Sequence, residues 1–135
     1  VAMSQITFMG KPLAQLQQEK PQIFGKVTYD ILLERTHQLG MEIVIGKGST
    51  EFGIGAALAM VCKAVLHDEK RILPVSALLE GEYGQNNVNA GVPCIIGRNG
   101  IEEIIELKLT EEENKLFASS CDVIREHIKL EEKTK

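Results

Sequence analysis

The sequence predicts an α+β fold, an antiparallel sheet packed against long helices. Three observations carry that expectation. Residues 72–109 contain three strand-like runs joined by short links, and neighbouring strands with short links pair antiparallel. Residues 51–66 form a helical run that is apolar on most sides, as a helix central to a domain would be. Thr110, Glu111, Glu112 and Glu113 spell a capping box ahead of a stripe of Phe117, Cys121, Ile124 and Ile128 at helical spacing.

Taken in order, Ser4 to Phe8 alternates polar and apolar residues and reads as a short half-buried strand. Gly10, Lys11 and Pro12 make a turn, Leu13 and Leu16 anchor a short helix, and Pro21 ends it or opens the next segment. From Val27 the pattern is helical, with Val27, Ile31 and Leu32 on one face and Leu39 further along. Gly40 interrupts it, and Glu42 to Ile45 has strand propensity. By propensity alone that segment could be a strand.

Gly46 to Gly55 is the stretch around which the rest is organised. Ser49 and Thr50 are good N-cap residues, and Glu51 sits where the helix dipole favours a carboxylate. Gly53 and Gly55 each cost roughly 1 kcal/mol against Ala inside a helix. Two such costs in one turn imply that a packed neighbour or a bound molecule approaches the backbone. After the polar link His67 to Lys70, Ile72 to Leu79 reads as a strand, at an edge or bulge because of Pro74. Gly81 to Asn89 reads as a loop and Val92 to Ile96 as a strand. Arg98, Asn99 and Gly100 make a hairpin turn. Ile101 to Leu109 reads as the last strand, with Ile101, Ile105, Leu107 and Leu109 on one face and Ile104 on the other. The polar tail from Glu131 to Lys135 is expected to fray. Residues 1–135 are read as one domain.

Composition narrows the function classes. The chain has 135 residues, 44% hydrophobic and 25% charged, enough for a real core. A net charge of −4 gives no electrostatic footprint for nucleic acid or an anionic membrane. No apolar run reaches the roughly 20 residues that span a bilayer, and no signal segment opens the sequence. Cys62, Cys94 and Cys121 are expected to be reduced and packed as small apolar residues, which points weakly to the cytoplasm. His37, His67 and His127 have no partner at metal-ligand spacing, so no metal is expected. From the residues alone, the one candidate site is the mouth of the helix at Ser49, Thr50 and the two glycines. On those residues alone, a helix cap with close packing is the favoured account of it.

Four blocks in order and spacing resemble the lactate/malate dehydrogenase family, on the lactate side. They are Gly46 to Leu66, Arg71 to Gly84, Gly91 to Gly100, and the helix from Thr110. The resemblance covers essentially the whole chain and implies the family's C-terminal substrate domain, lacking the Rossmann domain, with the helix from Val27 continuing through Gly40. No Gly-x-Gly-x-x-Gly fingerprint is present. It implies an enzyme that interconverts pyruvate and L-lactate with NAD, a homo-oligomer (dimer or tetramer) in the cytoplasm. The family's proton-donating His, its partner Asp and its substrate-binding Arg match no position, so no catalytic residue is assigned and the chain alone is expected to be inactive. Thr50 falls on the family's substrate-facing threonine. Gly40 lies near a small residue of the substrate pocket, and Ile54 falls on the apolar residue against the nicotinamide. Malate-type enzymes usually read Gly-Ser-Ala where this chain has Gly48, Ser49 and Thr50. The alternatives are a malate or 2-hydroxyisocaproate dehydrogenase domain, or a non-catalytic binding or assembly module. The expected oligomer surface is Met41, Val44 and Ile45 with nearby positions of residues 51–66.

Overall fold

The computed structural model describes residues 2–132, apart from the side chains of Tyr29, Glu131 and Glu132. The chain divides into two compact units, Val1–Leu58 and Ala59–Lys135.

The first unit opens with a 3-10 turn at Met3–Gln5. Two short strands follow, β1 (Thr7–Phe8) and β2 (Lys11–Pro12), paired around Met9 and Gly10. The strand expected from Ser4 therefore begins at Thr7, since Ser4 lies in the 3-10 turn. Helices α1 (Leu13–Glu19) and α2 (Pro21–Phe24) come next, with Pro21 in the first turn of α2, where its missing N–H is not needed. Leu16 is buried, and the rings of Phe8 and Phe24 lie 6.2 Å apart.

Helix α3 (Tyr29–Lys47) starts where Thr28 Oγ1 accepts from the Ile31 amide. It runs without a break through Gly40, so the strand propensity of Glu42 to Ile45 yields to the helix around it. Gly48 ends α3 in the left-handed conformation at φ 89°, its amide donating to Val44 O. Val27 precedes the helix, and Ile31, Leu32 and Leu39 are exposed rather than forming a buried face. Helix α4 (Glu51–Leu66) crosses from the first unit into the second.

In the second unit, β3 (Arg71–Glu80), β4 (Asn86–Gly97) and β5 (Gly100–Ile104) form an antiparallel sheet in that order. Its register sets apolar residues opposite one another: Leu73 with Cys94, Val75 with Val92, Ala77 with Ala90, Leu79 with Val88. This face is covered by Val61, Ala64 and Val65 of α4, spaced to share one helix side, and by Phe117, Cys121 and Ile124 of α5 (Glu111–Glu132). Ile128, expected in the same stripe, is exposed. The capping box forms as expected: Glu113 N donates to Thr110 Oγ1 (3.2 Å) and Thr110 N to Glu113 Oε2 (2.9 Å). The fraying expected of the last residues concerns 133–135, outside the described residues, while the helix itself extends to Glu132.

β3 is an edge strand, as Pro74 suggested. Pro74 stands opposite Pro93, whose carbonyl accepts from Ile105 N on the β5 side. The pair is therefore not hydrogen-bonded across the ladder, and the imide nitrogen of Pro74 faces the open edge.

Two strand boundaries differ from expectation. β4 begins at Asn86 rather than Val92, because Val88 and Ala90 face the core and pair with β3. β5 ends at Ile104 rather than Leu109. Tyr83 Oη donates to Ile105 O (2.8 Å) and accepts from Leu107 N (2.9 Å), and Glu106 accepts from Tyr83 N, so these groups leave the ladder. A register shift between Ile95 and Ile96 also changes the faces: Ile104 packs on the core and Ile101 is exposed. The loop reading of Gly81 to Gly84 holds, since Gly81, Tyr83 and Gly84 all have positive φ, with a 3-10 turn at Glu82–Gly84.

Tyr83 ties loop, strand end and helix together, its ring 5.0 Å from that of Phe117. Tyr83→Phe keeps the ring contact but strands a part-buried carbonyl and amide. Urea unfolding should show a loss of about 1–3 kcal/mol.

Candidate functional site

The candidate site lies in the first unit, at the corner between α3 and α4. Gly48, Ser49 and Thr50 are the only residues between the two helices. Thr50 is exposed, and among the described residues its hydroxyl has no hydrogen-bond partner, so Thr50 does not cap α4. Ile54 follows one turn later and is 68% exposed. Thr50 is the last residue before α4 and Ile54 lies in its first turn, so a hydroxyl and an exposed apolar side chain stand four residues apart at the start of the helix. Gly40 is half-buried in α3, and a methyl group added there would meet no atom within 4 Å. No described hydrogen bond or ring contact joins Gly40 to the other two.

The same open space surrounds Gly53 and Gly55. The close neighbour that two helix glycines imply is not found among the described residues. Nor is α4 buried as its composition suggested: Phe52, Ile54, Leu58 and Leu66 are exposed and only Ala64 is fully buried. Val61, Ala64 and Val65 pack on the sheet, and among the described residues the large apolar side chains at the other positions named are exposed.

Electrostatics at the corner centre on Lys47, which the sequence reading passed over. Its Nζ lies 2.8 Å from Glu51 Oε2 and 4.2 Å from the centre of the Phe52 ring. The Lys47 ammonium, and then the Ser49 hydroxyl, hold the Glu51 carboxyl below the usual carboxylate range. The favourable effect on folding is therefore present above the unfolded Glu value and fades as the pH falls through the lower folded one. The spacing of Lys47 and Glu51, four apart across a glycine, was the signal available in the sequence.

Other groups fall outside the site. Burial raises the thiols of Cys94 and Cys121 above their ordinary values, while Cys62 is exposed rather than packed as expected. Among the described residues no three His, Cys, Asp or Glu side chains could hold a metal ion, and no single helix is long and apolar enough to cross a membrane.

A helix start with a hydroxyl, an exposed apolar residue one turn on and an open glycine on each side of that residue is the surface the corner presents. Comparison with known proteins identifies the family. Residues 2–135 match the family described as lactate/malate dehydrogenase, alpha/beta C-terminal domain, and the chain belongs to that family. It is 45% identical over 129 residues to L-lactate dehydrogenase 3 of Bacillus cereus, covering 96% of this chain and 41% of that protein. The fold is similar to that of the minor L-lactate dehydrogenase of Enterococcus mundtii, with a TM-score of 0.81 and 34% identity, over 93% of this chain and 40% of that one. It is also similar to the malate dehydrogenase of Aeropyrum pernix, with a TM-score of 0.74 and 36% identity, over 89% of this chain and 38% of that one. The chain thus spans about two fifths of the length of the Bacillus cereus relative.

The open glycines give a direct test. With nothing near them in this chain, Gly55→Ala should stabilise it by about 0.5–1 kcal/mol, through helix propensity alone. Thermal unfolding of the two chains side by side checks this, and a destabilised variant would mean that an unseen neighbour packs there.

Proposed function

We propose that this chain is the substrate-side domain of an NAD-dependent L-lactate dehydrogenase that interconverts pyruvate and L-lactate. The observation that supports this most directly is the pairing, one helical turn apart, of the free Thr50 hydroxyl and the exposed Ile54. The Thr50 hydroxyl would orient the 2-oxo acid by a hydrogen bond to its polar end. Gly40 would leave room beside the substrate side chain. Ile54 would rest against the nicotinamide ring, where an apolar wall keeps water away from the reacting carbon. The open surface at Gly53 and Gly55 fits the close approach of a flat ring. When bound, NAD supplies or accepts the hydride. The proton donor and the carboxylate-gripping Arg would come from outside these residues, so the chain alone should not oxidise reduced NAD with pyruvate.

The malate branch is the second reading, and the likeness to the Aeropyrum pernix enzyme favours it. The identity to an L-lactate dehydrogenase is higher, and Thr50 stands where the malate-type motif has Ala. Assay of the complete enzyme with pyruvate and with oxaloacetate separates the two.

We also infer a cytoplasmic homo-oligomer. Met41, Val44 and Ile45 of α3 are exposed apolar residues in keeping with a subunit contact.

The test of the site is Thr50→Ala in the complete enzyme that carries this chain. Losing one hydrogen bond to a charged substrate should lower kcat/KM for pyruvate by about 10- to 100-fold. Thr110→Ala is the control: it removes a helix cap worth about 0.5–2 kcal/mol and should leave turnover intact. Equal kinetic losses from both would reject the assignment of Thr50.

A further inference from the structure

The α3–α4 corner carries contacts that the reading of Thr50 as a substrate residue does not itself require. Three residues join the helices, and the first, Gly48, has the backbone freedom of glycine at φ 89°. A short link of this kind would leave the next side chains loosely aimed. Lys47 closes it. Its ammonium reaches from the last residue of α3 to Glu51 in the first turn of α4 (2.8 Å) and lies over the Phe52 ring (4.2 Å). The Ser49 hydroxyl, after Lys47, also helps to keep the Glu51 carboxyl ionised. The residues on both sides of Thr50 are thus tied to one another, while the Thr50 hydroxyl itself is free among the described residues.

The partners of the ammonium define its role. Paired to a carboxylate and stacked on a ring, Lys47 is not a free cation offered to an anionic substrate. Its partners lie within the protein: it spans from the last residue of α3 to the first turn of α4.

We propose that the Lys47–Glu51–Phe52 contact is a positioning device that holds the corner so that Thr50 presents its hydroxyl to the 2-oxo acid in one orientation. Lys47 is a positioning residue that touches no substrate. The inference rests on the reading of Thr50 given above.

The contact is exposed, with side-chain exposures of 36% for Lys47 and 69% for Glu51, so its effect should be modest. In the complete enzyme, Lys47→Met should lower kcat/KM for pyruvate about three- to tenfold, the size expected for one exposed ion pair with one cation–π contact. Lys47→Arg, which can both pair and stack, should restore most of it. The double variant Thr50→Ala with Lys47→Met should be no worse than Thr50→Ala alone, because a positioning residue has nothing left to position. A carboxyl titration followed by NMR should show Glu51 ionising below its ordinary value, and nearer to it in Lys47→Met. Should Lys47→Met not fold, Glu51→Gln breaks the same pair and gives the same comparison. The outcomes separate cleanly. If Thr50→Ala has no kinetic effect, the reading of Thr50 fails and this inference with it. If Thr50→Ala matters but neither Lys47→Met nor Glu51→Gln does, only the positioning role is overturned. If the two losses multiply in the double variant, Lys47 acts on the substrate independently, and the positioning role is again rejected.

Discussion

The second unit depends on the apolar ladder between β3 and β4. Each inward residue of one strand faces an inward residue of the other: Leu73 meets Cys94, Ala77 meets Ala90 and Leu79 meets Val88. Strand side chains alternate, so a slip of one residue would turn this whole set to the solvent side. The register is therefore held by the same atoms that make the core. The helices follow from it. α5 lays Phe117, Cys121 and Ile124 on that face, and α4 reaches it only through Val61, Ala64 and Val65.

The first unit has a different balance. Leu16 is its one buried apolar residue among those described, while α3 and the start of α4 carry large apolar side chains in the open. Such surface is stabilised when something covers it. The proposed site lies in this setting, with Thr50 and Ile54 exposed and, among the described residues, no atom within 4 Å of a methyl group added at Gly53 or Gly55. A wall of this kind is completed by groups it does not itself contain, in keeping with a domain that spans about two fifths of the Bacillus cereus enzyme's length.

What could be read from the sequence was largely what is local. The Thr110–Glu113 box and the hairpin at Arg98 to Gly100 each depend on a few adjacent residues, and each forms. The errors have non-local causes. The polar start of β4 at Asn86 is recruited by pairing with β3, which outweighs its weak strand propensity. The last strand stops early because Tyr83, more than twenty residues away, takes its backbone groups. α4 was expected at the centre of a domain, but an apolar pattern reports that a helix needs cover and not who provides it. At the site, Thr50, Ile54 and Gly40 were located by resemblance to a family, whereas the Lys47–Glu51 pair, legible from its spacing, was overlooked.

The proline pair at the sheet edge bears on how copies of this chain behave toward one another. An exposed edge strand offers a row of amide donors and carbonyl acceptors on which another strand can grow. In β3 that row is broken near its start, because Pro74 turns a ring without an N–H toward the open side. Arg71 and Glu80 put opposite charges at the two ends of the same strand. An incoming strand would lose a ladder bond at Pro74 and have to accommodate a charge at either end. Newly made or crowded chains are thereby steered away from edge-to-edge stacking along this strand.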